Sequence, residues 1–207
     1  MRTLFKDINL SSCPGTDILK GLNDQLLAEL QTIAPGKLVD ISNLNVSLGK
    51  GVIPFVGGST AKAKLDAAIA AHGVTLSINS AYRTFAQQYM LFRKKSFGPA
   101  GCGIALVARP GASNHESGLA LDIKKPLTWK PFLQAQGWRH FGSRDLPHYD
   151  FIAGGADLRS LGIKAFQSLW NKHNPFDQIT VDGKLVRPNW QDSETIKRLL
   201  KTPIDGF

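Results

Sequence analysis

The chain has 207 residues, 43% of them hydrophobic, which is enough for one domain of ordinary size with a real core and a small appendage. Its 25 Lys and Arg residues outnumber its 16 Asp and Glu residues. The resulting net charge of +9 favours polyanionic partners such as nucleic acid, acidic wall polymers or anionic lipid. No apolar run of about 18 residues occurs in the sequence, which excludes a membrane-spanning helix.

The first ten residues do not resemble a secretory signal, because Arg2, Lys6 and Asp7 are charged and no apolar stretch is present. We therefore expect a protein that is made in the cytosol and released later, or one whose signal has been removed. No basic motif interleaved with aromatic residues accompanies the positive charge, so we expect no nucleic-acid partner.

The sequence has two cysteines, Cys13 and Cys102, too few for a disulfide scaffold or a thiolate zinc cage. Two buried free thiols are the expected state. A single disulfide between them is the alternative.

Hydrophobic periodicity predicts an alternation of helices and short strands. Helices are predicted over 17–33, 60–72, 84–95, 129–136, 161–172 and 193–200. Strands are predicted over 74–79, 119–123 and 148–152, after short extended pieces within 38–47. Residues 96–112 hold four glycines and two prolines, and we expect them to form a long loop over the site that the following residues build.

The pattern changes near Asp157, after the pair Gly154-Gly155, where the remaining residues are predicted to be mainly helical. We therefore predict two domains, a first over 1–155 that includes the N-terminal helix and a helical module over 156–207. Neither an internal repeat nor a low-complexity tract is visible.

Strand alternation places candidate functional groups on one face of the sheet. Residues two apart in a strand share a face, so Gly118, Ala120 and Asp122 are expected to point one way while the leucines between them point into the core. The polar face would then be a floor of small residues ending in a carboxylate. By the same rule His148 shares a face with Asp150, and neighbouring strands would bring His148 towards Asp122.

A third candidate ligand, His115, lies on the loop that enters the strand of Asp122. Two histidines and a carboxylate that leave a fourth position for water are typical of catalytic zinc. Zinc lowers the pKa of such a water to about 7 and polarises a carbonyl. Asp145 is the candidate general base, and Arg83 is placed to hold a carbonyl oxygen as negative charge develops on it.

Each of these residues also has a purely structural interpretation. His115 could belong to a polar network, and Asp122 could cap a strand end. Arg83 could be an ion-pair partner, and Asp145 could start the turn before Pro147. The joint pattern favours the metal site, because the structural interpretations would have to hold independently at each position.

Four ordered motifs carry a family resemblance. They are Ser80-Ala81-Tyr82-Arg83-Thr84 with Gln87-Gln88, then Ser113-x-His115-x-x-Gly118-x-Ala120-x-Asp122, then Gly137-Trp138, then Asp145-x-x-His148. In this order they resemble the motifs of the VanY-type D-alanyl-D-alanine carboxypeptidases and related phage endolysin peptidases. The resemblance covers roughly residues 26 to 154.

The resemblance implies an α+β fold, a small antiparallel sheet flanked by helices like that of lysostaphin-like enzymes and hedgehog domains. In it, His115, Asp122 and His148 match the zinc ligands. Asp145 matches the catalytic carboxylate, and Arg83 matches the arginine that polarises the carbonyl. Ser113 and Gln88 match positions close to the substrate. Many relatives have Glu at the position of Asp145, so the shorter side chain must lie about one methylene closer.

The implied function is a zinc-dependent peptidoglycan hydrolase that cleaves stem peptides by attack of a metal-activated water. Both a D,D-carboxypeptidase and an L-alanyl-D-glutamate endopeptidase fit. The alternative is a non-catalytic peptidoglycan-binding protein, which would need neither Asp145 nor Arg83. We expect a monomer that acts on the cell wall outside the cytoplasm. The basic charge and the missing signal favour a phage-encoded lysis enzyme made in the cytoplasm.

The C-terminal module resembles a peptidoglycan-binding helical module from Ala165-Phe166-Gln167 through Asp182-Gly183 to Leu199. It departs from that pattern after Asp182-Gly183, where the usual glycine is missing and the segment from Val186 to Trp190 stands in its place. Wall binding and simple packing onto the catalytic core are both open for this module.

Overall fold

The computed structural model describes residues 2–185 and 189–207, and the chain divides into two compact units. The helical unit consists of Met1–Ala34, Thr84–Ser113 and Arg159–Phe207, and the sheet unit consists of Pro35–Arg83 and Asn114–Leu158. These units are divided differently from the predicted domains, 1–155 and 156–207, and the domain boundary stays a prediction. Of the segment that departs from the wall-binding pattern, Val186, Arg187 and Pro188 lie outside the described residues.

The sheet unit contains seven strands and two helices among its residues. The strands are β1 (Leu38–Asp40), β2 (Val46–Leu48), β3 (Phe55–Gly57), β4 (Leu76–Ser80), β5 (Ala120–Ile123), β6 (Trp138–His140) and β7 (His148–Phe151), and the helices are α1 (Ser59–His72) and α2 (Pro126–Ala135). β1 and β3 form a two-stranded antiparallel sheet, and the other five strands form a sheet in the order β2-β4-β5-β7-β6. The pair β2 and β4 is parallel and the remaining pairs are antiparallel. The predicted α+β fold is confirmed.

One face of the five-stranded sheet is apolar because alternate residues of each strand point to it. Its buried members include Leu76 and Ile78, Leu121 and Ile123, Trp138, Tyr149 and Phe151. Both helices contribute to the same cluster, for example through Leu65 of α1 and Leu133 of α2. Burying each such side chain contributes about 1.5–3 kcal/mol. This packing fixes β4, β5 and β7 in register, and with them the positions of the residues at the ends of these strands.

The helical unit is built from four helices and several short 3-10 turns in its described residues. The helices are α3 (Lys20–Ile33), α4 (Phe85–Phe97), α5 (Arg159–His173) and α6 (Glu194–Lys201). Its core is a single apolar cluster to which the N-terminal turn contributes Phe5, α3 contributes Leu22, α4 contributes Phe85, α5 contributes Phe166 and α6 contributes Leu199. The N-terminal and C-terminal segments therefore share one core, which explains why the compact units do not follow the predicted boundary. None of the described helices is long and apolar enough to cross a membrane.

Cys13 and Cys102 form a disulfide within the helical unit, with their Cα atoms 5.4 Å apart. The expectation of two free thiols is therefore wrong, and the alternative pairing is correct. Both cysteines are half-buried and have left-handed backbone angles. Their separation of 89 residues gave the sequence no local signal of the contact.

The predicted helices are all present, with shifts at their ends. The helix expected from 129 begins three residues earlier at Pro126, a residue favoured at the first helical position. Ser193 lies just outside the last helix as its N-cap, and its hydroxyl accepts a hydrogen bond from the Ile196 amide at 3.3 Å. The short strands β3 and β6 were not predicted, because three residues are too few to show a period.

The segment 96–112, predicted to be a long loop, contains the last residues of α4 and a 3-10 turn at Pro99–Gly103. It belongs to the helical unit, where the disulfide at Cys102 and a hydrogen bond from Gln88 to the Ala108 carbonyl hold it. Its expected position over the site stays a prediction.

Candidate active site

The register of three adjacent strands brings polar residues into one row across the sheet. Asp122 of β5 pairs with Ser80 at the end of β4 on one side and with His148 at the start of β7 on the other. Side chains directly opposite each other in neighbouring strands lie on the same face. The predicted approach of His148 to Asp122 is therefore observed, and it follows from strand pairing.

His115 completes the group from the turn that precedes β5. Its Nε2 lies 3.2 Å from Asp122 Oδ2, and His148 Nδ1 lies 3.0 Å from Asp122 Oδ1. One ligand atom from each of the three residues lies within 4.8 Å of the others. His115 and His148 are buried, while Asp122 is partly exposed. The structure thus brings together the three residues predicted to bind zinc.

The orientation of the His115 ring is set by its second nitrogen. Nδ1 lies 2.8 Å from the Ala81 carbonyl oxygen, so that nitrogen donates its proton there and Nε2 carries the lone pair directed at Asp122. The His115 carbonyl accepts a hydrogen bond from the Arg83 amide at 3.1 Å. The turn and the end of β4 are therefore locked together at the site.

His148 is held from its other side by Asp150, a residue for which no functional role was predicted. Its Nε2 lies 3.0 Å from Asp150 Oδ1, which leaves Nδ1 to face Asp122. The alternation His148-x-Asp150 already placed both side chains on one face, and this was the signal for the contact. Ala120 is paired with Asp150 across the two strands, where a larger side chain would meet the carboxylate.

Arg83 contacts the ligand group directly. Its Nη2 donates to Asp122 Oδ2 at 2.9 Å and its Nε donates to Ser80 Oγ at 2.8 Å, and its side chain is only 17% exposed. The ion pair proposed as the structural interpretation of Arg83 is thus observed. It also fixes a cation beside the histidines, where a catalytic arginine would be needed.

Asp145 lies in the partly exposed turn before β7, and its carbonyl accepts a hydrogen bond from the His148 amide at 3.1 Å. Burial and the negative charge of Asp122 raise the pKa of its carboxyl group, and the charges of His148 and Arg83 partly offset this rise. A carboxyl group with a raised pKa is better suited to accept and return a proton near neutral pH.

The electrostatics of the three candidate ligands differ. Burial opposes charge on all three, but His115, His148 and Arg83 outweigh it at Asp122 and lower the pKa of that carboxyl far below its usual range. Burial, with the Arg83 charge, lowers the pKa of His115 and so favours its neutral form. At His148, hydrogen bonds to Asp122 and Asp150 outweigh burial and raise the pKa to about 9.

Gly118 does not form the floor that strand alternation predicted. It lies in the turn before β5 with a φ of +76°, and a Cβ atom there would come within 2.7 Å of the Gly57 nitrogen. Glycine is needed here because the Gly57 amide donates to the Gly118 carbonyl at 2.8 Å. The residue thus permits a close approach of two backbones that positions the turn carrying His115.

The two predicted substrate-binding residues belong to the other unit. Gln88 is buried in α4, and its Nε2 donates to the Ala108 carbonyl at 2.8 Å. Ser113 is buried at the end of the middle segment of the helical unit. Their contact with substrate stays a prediction.

One further buried acid, Glu116, follows His115 directly and is 3% exposed. Its charge acts on Arg83, and together with burial it raises the pKa of Tyr82. The sequence did not single it out, because one acidic residue in a turn is usually solvated.

The donor set fits a zinc ion. Two imidazole nitrogens and a carboxylate are the ligand types that catalytic zinc takes from proteins, and both rings are already anchored through their second nitrogens. The three side chains converge within reach of one ion.

Comparison with known proteins agrees with the motifs. Residues 58–146 match the family model of VanY, described as D-alanyl-D-alanine carboxypeptidase. The predicted resemblance is confirmed over this region, which contains His115, Asp122, Asp145 and Arg83. The match points to a peptidase that acts on peptidoglycan. No curated protein matches the chain.

Proposed function

We propose that this protein is a zinc-dependent peptidoglycan hydrolase that cleaves stem peptides. The observation that carries the proposal is the convergence of His115, Asp122 and His148 within 4.8 Å, two of which, His115 and Asp122, lie in the region that matches the VanY family. His115, Asp122 and His148 would hold the metal. A zinc ion bound there supplies a water of lowered pKa and polarises a carbonyl group.

Two residues of the chain, Asp145 and Arg83, supply the remaining catalytic groups. The Asp145 carboxylate accepts the proton of the attacking water and returns it to the leaving amine. The Arg83 guanidinium, held by Ser80 and Asp122, stabilises negative charge on the carbonyl oxygen of the substrate. Because Arg83 is already fixed by two hydrogen bonds, little reorganisation is needed during the reaction.

The bond between two D-alanine residues is the first to test, because the matching family is described by that activity. The bond between L-alanine and D-glutamate is the second. Metal-free protein and zinc-restored protein are incubated with purified muropeptides, and the products are analysed by mass spectrometry. We expect hydrolysis only after zinc is restored. Equal product from both samples would contradict zinc dependence.

The products of the same experiment distinguish a hydrolase from the alternative, a non-catalytic wall-binding protein. Such a protein would sediment with purified sacculi but would release neither peptides nor D-alanine in the presence of zinc. The position of Asp145 and Arg83 beside the ligand group supports catalysis, since binding alone requires neither residue.

We also propose that the C-terminal part of the helical unit binds the wall. It carries a cleft of about 350 Å³ whose lining includes Gln167, Thr180, Asp182, Lys184, Thr195 and Arg198. Donors and acceptors in this cleft suit a polar polymer. Lys184→Ala should weaken sedimentation with sacculi while leaving hydrolysis of soluble muropeptides unchanged. Unchanged sedimentation would instead favour a packing role for this module.

A further inference from the structure

Asp150 forms a hydrogen bond with the ring nitrogen of His148 that points away from the candidate metal position. Its Oδ1 accepts hydrogen bonds from His148 Nε2 at 3.0 Å and from Asn114 Nδ2 at 2.7 Å, and its Oδ2 lies 3.9 Å from an Arg139 nitrogen. The residue is only 6% exposed. A buried carboxylate with this set of partners has a defined orientation.

The contact is built into a rigid element. His148 and Asp150 are separated by one residue in β7, so their side chains share a face of the sheet. β7 is paired on both sides, with β5 and with β6, and all four of its residues are buried. The backbone positions that carry the two side chains are therefore fixed relative to each other.

Only one nitrogen of His148 can then face the candidate ligands. Nδ1 lies 3.0 Å from Asp122 Oδ1, and once a metal displaces the Nδ1 proton, its lone pair faces the ligand group while Nε2 keeps its own proton and donates it to Asp150. A carboxylate that accepts the second proton of a ligating histidine fixes its tautomer and increases its basicity. Coordination through Nε2 would require this bond to break and the ring to turn over.

We propose that Asp150 is a positioning residue that holds His148 with Nδ1 directed at the metal, and that Asn114 in turn orients Asp150. This inference rests on the proposed function only for the presence of a metal between His115, Asp122 and His148. It assigns a role in metal affinity to two residues that do not touch the metal.

Asn114 links this arrangement to the other histidine. It immediately precedes His115, and its carbonyl accepts hydrogen bonds from the Ser117 hydroxyl at 2.6 Å and from the Leu119 amide at 3.3 Å. Asn114 is therefore part of the turn that presents His115, and it also donates a hydrogen bond to the Asp150 carboxylate that orients His148. Displacing the Asn114 side chain should loosen Asp150 and leave the backbone of the turn in place.

The test measures zinc affinity by competition with a chromophoric chelator, with no substrate present. Asp150→Ala should bind zinc about 10–100-fold more weakly than the wild type. Asp150→Asn keeps the shape and an oxygen acceptor but loses the charge, so its loss should be smaller. The loss of zinc affinity in Asn114→Ala should be smaller than the loss in Asp150→Ala. Asp66→Asn, a charge removal on the exposed face of α1, is the matched control and should bind as the wild type does.

A spectroscopic measurement separates positioning from a general structural role. In zinc-loaded wild type, nitrogen-detected NMR should show a protected Nε2–H on His148, and Asp150→Ala should lose it. The protected Nδ1–H of His115, bonded to the Ala81 carbonyl, should persist in both and serves as the internal reference. Thermal melting of Asp150→Asn checks that the fold is retained.

Equal zinc affinity of the wild type and both Asp150 variants would overturn the inference, and so would an unprotected Nε2–H in the wild type. A wild type that binds no zinc would overturn it together with the proposed metal site. If the variants bind more weakly but no sample releases muropeptide fragments, the positioning role stands and the proposed hydrolase activity fails.

Discussion

The two compact units differ in where their buried polar groups make contacts. In the helical unit their contacts are spread over several separate places, such as Glu29 with Lys172 and Thr84 with Asn23. In the sheet unit the buried or partly buried ionisable groups converge on one point around Asp122. Dispersed contacts mainly stabilise a fold, whereas ionisable groups that converge on one point shift each other's pKa values, as the groups of functional sites commonly do. The difference indicates which unit is scaffold and which carries the chemistry.

The largest expected effect concerns the sheet unit. Asp145→Ala should reduce muropeptide hydrolysis by about 10²–10⁴-fold, because a positioned general base contributes this much. Zinc affinity should be unchanged, since Asp145 is not among the converging ligand atoms. Steady-state hydrolysis and chelator competition measure the two quantities.

Asp157→Ala, which removes a carboxylate elsewhere in the same unit, is the control and should keep its activity. Loss of zinc from Asp145→Ala would make Asp145 a ligand and would change the assignment of the base.

The next effect concerns the helical unit. Reducing the disulfide between Cys13 and Cys102 should lower the free energy of unfolding by about 2–5 kcal/mol, because the reduced unfolded chain gains conformational freedom. Thermal melting with and without reductant measures the change. Cys13→Ser with Cys102→Ser should melt like the reduced wild type and should not respond to reductant.

Zinc affinity of the reduced protein should equal that of the oxidised protein if scaffold and site are separable. A large loss of zinc affinity on reduction would show that the metal site depends on the disulfide and is not separable from the scaffold.

The pH dependence of stability reports on the charged groups around Asp122. In the metal-free protein the pKa of His148 is raised from its ordinary value near 6.5 to about 9. The stabilisation from its protonated form is complete below about pH 6.5 and is lost as the pH rises through 9. Asp122, whose pKa is lowered, adds stabilisation that is lost only in strong acid.

Zinc must displace the proton of His148 Nδ1, so its apparent affinity should rise about tenfold per pH unit between pH 7 and 9. Metal-free protein should melt at a lower temperature at pH 9 than at pH 6.5, and zinc should reverse the difference. An affinity that does not depend on pH in this range would contradict the shared proton at Asp122.

The smallest effect is a capping contact in the helical unit. Ser193→Ala should cost about 1 kcal/mol, because the Ile196 amide loses its acceptor at the start of α6. Ser193→Asp keeps an acceptor and should retain most of the stability. Chemical denaturation measures both. Hydrolysis of soluble muropeptides should not change in either variant.

Periodicity and motif spacing predicted the helices and the main strands because these depend on local patterns. They also predicted the approach of His148 to Asp122, since strand alternation fixes which side chains share a face. The choice between two free thiols and a disulfide could not be made from the sequence, because the disulfide joins residues that only the tertiary fold brings together.

The prediction that Gly118 forms part of the floor is wrong for the same reason. Its requirement comes from Gly57, a residue far away in the sequence, and not from its own strand. The contact of Asp150 with His148 was implied by the alternation, but the direction of the imidazole ring depends on the neighbouring strands. What sequence reasoning missed is therefore mostly the environment that orients residues already identified.

The most direct test of the account is calorimetric titration of zinc into metal-free protein at pH 8, comparing the wild type with Asp122→Ala. Asp122 contacts both histidines, so its loss removes the residue on which the group converges. We expect one zinc ion per wild-type chain and no measurable binding to the folded variant. Equal binding of zinc by both proteins would contradict it.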